Sequence, residues 1–181
     1  MTTHDSYTVV VGGESFETPL RSLGSVRIAY LDFLCDIQLV RACVRELAEL
    51  LPVRSGAIVV PATGAIPLGF ELAALLGRPL VVLRKGRRGY MSPSLSVPVR
   101  SIAAEESETL LVETGYLAAL RHNPVTLLDT VSSTGSTLRA MRELMAVAGV
   151  DVAEAAVAFI EGDLPSADIL SLGRLPVFPE P

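Results

Sequence analysis

The segment Val125-Thr126-Leu127-Leu128-Asp129-Thr130-Val131-Ser132-Ser133-Thr134-Gly135-Ser136-Thr137 joins an apolar run, an acid and a run of small hydroxylated residues. The pattern predicts a buried strand, a small-residue turn and the N-terminus of a helix. Such a turn offers backbone N–H groups and hydroxyls to an anion, and the helix dipole favours a phosphate there. An acid at the strand end, beside that cradle, suits the hydroxyls of a ribose. Together these residues describe a site for a sugar 5'-phosphate. Without a ligand, Thr134-Gly135-Ser136-Thr137 reads as a helix cap. The segment is neither a Walker loop, which needs Gly-Lys-Ser/Thr, nor a dinucleotide fingerprint, which needs three spaced glycines.

Two further stretches carry anion chemistry. Arg84-Lys85-Gly86-Arg87-Arg88-Gly89-Tyr90 places four cations within five positions. Their self-repulsion would be relieved by a polyanion such as a pyrophosphate, although a solvated basic turn has the same composition. Pro61-Ala62-Thr63-Gly64-Ala65-Ile66-Pro67 lies between an apolar strand and a helix. Its small residues let an anion approach the backbone closely, as an ordinary strand-to-helix turn also would.

The elements that must position these loops follow from periodicity. Tyr7 to Val11 and Ser15 to Thr18 predict a hairpin around Gly12-Gly13. Ile37, Val40, Val44, Leu47 and Leu51 recur at helical spacing, giving a helix from about Asp36 to Leu51, capped by Asp36 and stopped by Pro52. Ala57 to Val60 is a short strand, Pro67 to about Leu76 a helix ended by Gly77, and Leu80 to Leu83 the next strand. Strand, helix, strand at this spacing indicates a right-handed parallel crossover. Lys85 to Ser94 reads as a mobile loop. Ser96 to Arg100 and Thr109 to Val112 form a hairpin bridging Ala103 to Glu106, and a short helix runs from about Gly115 to Leu120. Thr137 to Ala148 continues as a helix with Leu138, Met141, Leu144, Met145 and Ala148 on one face and Gly149 at its end. Val152 to Ile160 is a buried strand, and Leu170 to Phe178 supplies a short edge strand. This order predicts one α/β domain, a mainly parallel central sheet with helices on both faces. Ligands of such sheets bind beyond the carboxyl ends of the strands.

Composition narrows the classes. Of 181 residues, 50% are hydrophobic and 19% charged, which excludes disorder and permits a sizeable core. The net charge of −5 argues against nucleic acid as a partner. No apolar run reaches the roughly 18 to 20 residues of a membrane helix, and Met1 to Asp5 lack the pattern of a secretory signal. The expected compartment is the cytoplasm, with no membrane partner. Cys35 and Cys43 read as buried thiols. The two histidines, His4 and His122, do not assemble a metal set or a serine triad.

The Val125 to Thr137 segment resembles the phosphoribosyl pyrophosphate (PRPP) signature of the type I phosphoribosyltransferases: an apolar strand, two acids, three variable residues, then Thr/Ser-Gly-x-Thr/Ser. Thr130 stands where the second acid belongs. The Arg84-Lys85 pair after a strand is similar to the purine enzymes, the adenine type among them. The resemblance implies a single domain over 1–181, with a small hood built from about residues 7–36 and the C-terminal tail, and a mobile loop or hairpin. It implies transfer of the 5-phosphoribosyl group from PRPP to a purine base, giving a nucleoside 5'-monophosphate and pyrophosphate.

By the same resemblance Asp129 and Lys85 are the catalytic candidates, on a ribose hydroxyl and on the pyrophosphate. Thr130, Ser132, Ser133, Thr134, Gly135, Ser136 and Thr137 bind the phosphoribosyl end of PRPP. Thr63, Gly64, Ala65, Arg84, Arg87 and Arg88 face its pyrophosphate. Tyr30, Phe33 and Ile160 line the base pocket, with Ile160-Glu161-Gly162-Asp163 ending the last long strand. Mg2+ is expected mainly through PRPP, with no ligand set from protein side chains, and a homodimer is implied. A neutral Thr130 in place of an acid weakens PRPP binding by about 1–2 kcal/mol, one charge-assisted bond becoming neutral. A non-catalytic PRPP or nucleotide sensor on the same fold is the alternative.

Overall fold

The computed structural model describes residues 6–52, 56–99, 108–165 and 167–180. The chain opens with an antiparallel hairpin, β1 (Ser6–Val11) and β2 (Glu14–Leu23), and β3 (Val26–Ala29) adds beside β2. Helix α1 (Ile37–Leu50) starts at Asp36, whose carboxylate accepts the Leu39 amide at 2.9 Å. Its buried Leu39, Val40, Cys43, Val44 and Leu47 form one apolar stripe. Strand β4 (Ile58–Pro61), helix α2 (Ile66–Leu76) and strand β5 (Leu80–Lys85) follow, with Pro67 in the first turn of α2 and Gly77 capping its end. Next come β6 (Ser94–Val99) and β7 (Glu108–Glu113), a 3-10 turn over Thr114–Tyr116, and α3 (Leu117–Leu120). The chain ends with β8 (Val125–Ser132), α4 (Ser136–Ala148), β9 (Val152–Glu161), β10 (Ile169–Leu175) and β11 (Val177–Pro179).

Two sheets result. The larger has seven strands in the order β10-β9-β8-β4-β5-β7-β6. Its first five run parallel, β7 pairs antiparallel with β5, and β6 pairs antiparallel with β7. This is the mainly parallel α/β sheet that the order of elements predicts. The smaller sheet, β1-β2-β3-β11, is antiparallel. The large sheet separates two cores. Val60, Leu128 and Ala156 face α1, α2 and the small sheet, together with Leu47, Leu72, Val9 and Ala29. Val59, Leu127 and Val157 face α3 and α4, together with Leu120, Met141 and Leu144. The switch of core between Leu127 and Leu128 is the period of two expected of a strand buried on both faces.

Three elements depart from expectation. Strand β5 continues through Arg84 and Lys85, which pair with Leu111 and Leu110 of β7, so the basic cluster begins within a strand and not in a loop. Strand β8 continues to Ser132, opposite Ile160, because β9 is long enough to pair with it. The tail makes two strands where a single edge strand is expected. β10 extends the large sheet beside β9, and β11 crosses to the small sheet beside β3. Pro176, which has no N–H to donate, separates them. The Ala103 to Glu106 bridge, Arg100 and His4 lie outside the described residues.

Candidate active site

Because β4, β5, β8 and β9 are parallel, the loops that follow them open on one edge of the sheet. The register sets their levels. Pro61 pairs with Leu83, and the β4–β8 pairing Val59 to Leu127, carried on two residues, puts Pro61 level with Asp129. Asp129 therefore emerges where the 62–65 turn leaves the sheet. The turn itself includes a cis Ala62–Thr63 peptide, and the Ala62 amide donates to the Leu83 carbonyl at 2.8 Å. Thr63 is exposed, Gly64 is half-buried, and Ala65, 1% exposed, is sealed beneath α2. Ala65 thus offers its backbone and not its side chain. Gly69 seats this helix: a Cβ there would stand 2.4 Å from Val60 Cγ1, so only glycine lets α2 approach β4 so closely.

Beyond β8 the chain turns within Ser133, Thr134 and Gly135. Gly135 has φ 71, a left-handed conformation that side chains disfavour, and it precedes the first turn of α4. Thr134 Oγ1 accepts the Ser136 amide at 3.3 Å, and Arg139 reaches back to donate to the Thr134 carbonyl at 2.8 Å. No hydrogen bond among the described residues engages the Thr134 or Gly135 amides, and the first-turn N–H groups of any helix lack an intrahelical acceptor. Thr134 and Ser133 are exposed, Ser136 and Thr137 half-buried, so this turn is an open cradle of donors. Ser132 stands apart from it: it is buried, 6% exposed, on the strand.

Asp129 is half-buried. Burial pushes its carboxyl up from 3.8 to about 6, against the opposing pull of the Thr130 amide, the Lys85 charge and the Thr130 hydroxyl. The Thr130 amide donates to Asp129 Oδ1 at 2.8 Å. Thr130, half-buried, supplies no charge of its own. Lys85 shares a sheet face with Asp129, since Val81 and Leu83 before it, and Leu127 before Asp129, all point into the α4-side core. Its ammonium pairs with Glu108 at 2.8 Å, an exposed contact across β5 and β7. Arg84, Arg87 and Arg88 are exposed, and no ion pair among the described residues engages them. Four of the expected groups, the 62–65 turn, Lys85, Asp129 and the 133–137 turn, therefore share one edge.

The expected base-pocket residues separate. Phe33, 4% exposed, is packed into the core on the small-sheet side, and Ile160, 1% exposed, into the core beneath α4. Tyr30 alone of the three reaches solvent, 39% exposed, with the Arg21 guanidinium 4.0 Å above its ring. An aromatic or β-branched residue beside a strand satisfies core and pocket alike, and alternation on a strand assigns a face only once the partner strands are known. Sequence reasoning left Arg139, Glu108 and Glu161 without a role. Arg139 lies within the helix pattern and gives no local signal. Glu161, an acid closing an apolar strand, repeats the signal that marks Asp129.

No protein-family profile matches the chain. The adenine phosphoribosyltransferase of Nocardia farcinica is 34% identical over 169 residues, which is 88% of this chain and 83% of that one. The chain belongs to the adenine phosphoribosyltransferase family. Solved structures agree on the fold. The adenine phosphoribosyltransferase of Thermoanaerobacter pseudethanolicus superposes with a TM-score of 0.70 at 22% identity, covering 86% of this chain and 95% of that one. The Giardia lamblia enzyme complexed with 9-deazaadenine gives 0.65 at 24% identity, covering 93% of each chain. The chain is thus a phosphoribosyltransferase of the purine subgroup in which Thr130 follows Asp129 near the end of β8.

Proposed function

We propose that the protein transfers the 5-phosphoribosyl group of PRPP to a purine nitrogen, adenine first, with release of pyrophosphate. The observation that carries this reading is the convergence of Asp129, Lys85 and the open 133–137 cradle on one edge of the sheet. Amides and hydroxyls of Ser133 to Thr137 hold the 5'-phosphate. Asp129 accepts a ribose hydroxyl and orients the ring, while Thr130 contributes a neutral contact. Lys85, with Arg84, Arg87, Arg88 and the backbone of the 62–65 turn, takes up charge on the departing pyrophosphate. The transition state resembles an oxocarbenium ion, so the protein contributes by alignment, leaving-group stabilisation and exclusion of water.

Among the described residues no three His, Cys, Asp or Glu side chains converge. Asp129 is the acid at the strand end, a donor set that fits Mg2+ arriving with PRPP and keeping substrate oxygens as its main ligands. When bound, the ion neutralises pyrophosphate charge. The small sheet acts as the hood of the single domain, with Tyr30 at the base. No helix of the described residues is long and apolar enough to cross a membrane, and both cysteines are free thiols, Cys43 buried and Cys35 exposed, which suits a reducing cytoplasm. A second copy covers the face where Leu34 and Ile37 line a groove with Pro67 and Glu71 and where Phe70 is 63% exposed.

Calorimetric titration with PRPP and Mg2+, followed by addition of adenine and a pyrophosphate assay, tests the reading. Binding with adenine-dependent release is expected. Binding without release from any purine points to a sensor, and no binding overturns the site.

A further inference from the structure

The turn that opens α4 has one side chain folded back over it. Arg139 follows Gly135 by four residues, and helical side chains lean toward the N-terminus, so its guanidinium reaches the turn behind it. It donates to the Thr134 carbonyl at 2.8 Å, and a Cβ on Gly135 would stand 3.1 Å from Arg139 Nη1. Among the described residues no other donor reaches that carbonyl. Glu143, one turn further on and lining the same groove, offers a carboxylate at i+4. No ion pair joins Arg139 to it among the described residues. The guanidinium turns to the backbone of the cradle instead.

That bond fixes the orientation of a peptide unit. The Thr134–Gly135 peptide is trans, and in a trans peptide the carbonyl and the N–H point in opposite directions. Holding the Thr134 carbonyl at the guanidinium therefore aims the Gly135 N–H away from Arg139, and no hydrogen bond among the described residues engages that N–H. Glycine takes either sign of φ, so nothing at Gly135 itself, with φ 71, resists a flip of this peptide. A flipped peptide would turn a carbonyl oxygen to an anion in place of a donor. We propose that Arg139 is a positioning residue for the 5'-phosphate: it pins the Thr134–Gly135 peptide so that the Gly135 N–H is already presented when the ligand arrives. This rests on the reading of the 133–137 turn as a phosphate cradle. A donor held in place beforehand costs no rearrangement on binding, so the aligned bond contributes its full strength.

Calorimetric titration of ribose 5-phosphate, and of pyrophosphate with Mg2+, into the wild type, Arg139→Met and Arg139→Lys tests the proposal. Arg139→Met keeps an unbranched stem and loses the donor. It is expected to bind ribose 5-phosphate about tenfold more weakly, the scale of one aligned bond to a charged group, and pyrophosphate within about twofold of the wild type. Its Tm is expected to stay within about 2 °C of the wild type. Arg139→Lys, which restores a donor, is expected to recover ribose 5-phosphate binding to within about threefold of the wild type. The ratio between wild type and Arg139→Met is expected to persist at about 0.5 M salt, because salt screens a distant charge and not the direction of a peptide. Ribose 5-phosphate binding unchanged in Arg139→Met overturns this proposal alone. So does a ratio that collapses in salt, or an Arg139→Lys variant that binds as weakly as Arg139→Met. An equal loss for pyrophosphate with a lowered Tm marks a general structural role and overturns it too. Failure of the wild type to bind ribose 5-phosphate overturns the proposed function and this inference with it.

Discussion

Asp129 carries two opposed demands. Burial raises its carboxyl from 3.8 to about 6, whereas its proposed role, accepting a ribose hydroxyl, is strongest from the ionised form. The sign for stability follows. Between these two values the folded chain holds a proton that the unfolded chain has released, so the side chain costs stability progressively as pH rises from 3.8 through about 6. Ligand affinity moves the other way, because ionisation grows over the upper part of that window. PRPP affinity is expected to rise by up to about tenfold between pH 5 and pH 7, following the ionised fraction. Asp129→Asn is expected to abolish that rise and to weaken binding about 10- to 100-fold, the loss of a charge-assisted bond. The same variant is expected to melt no lower than the wild type at neutral pH. Calorimetry across pH and a thermal melt check both outcomes, and a steep residual pH profile in the variant would transfer the titration to another group.

At the scale of elements, the site depends on how closely α2 lies on β4. Gly69 faces Val60, and an added Cβ meets Val60 Cγ1 at 2.4 Å. Gly69→Ala is expected to cost about 1–3 kcal/mol through overpacking. For a chain of this size each kcal/mol lowers Tm by roughly 2–4 °C. Because α2 begins directly after the 62–65 turn, the variant is also expected to weaken pyrophosphate binding while leaving ribose 5-phosphate binding unchanged. A thermal melt and two titrations distinguish this from a general loss of fold. Most elements are legible in the sequence: Asp36 as a cap, Pro67 and Gly77 as a start and a stop, and the Leu138 to Ala148 stripe. The ends of β5 and β8 are not legible. Lys85 and Ser132 are strand residues because β7 and β9 pair with them, and pairing between distant segments leaves no local trace.

The whole molecule is two sheets joined by a tail that belongs to both. Strand β10 extends the large sheet and β11 closes the small one, so the chain's last residues tie the proposed hood to the strand that carries Glu161. The proposed second copy acts at this scale as well. It covers Leu34, Ile37 and Phe70, respectively 54%, 61% and 63% exposed, at the helix that starts after the 62–65 turn. Phe70→Glu is expected to convert a dimer to a monomer in light scattering without lowering Tm through the core, since the side chain is 63% exposed and lies outside both cores. A wild type that is already monomeric refutes the interface.

By itself the sequence determined the class of the sheet and the composition of the loops at its edge. A hydroxyl-rich turn, an acid and a cation cluster are local runs of residue types, visible in the sequence before any fold is known. The register of parallel strands, set by hydrogen bonds between segments tens of residues apart, decided the rest. It placed Lys85 and Asp129 on one face, buried Ile160 beneath α4 and brought Glu161 to the end of β9, where the sheets meet.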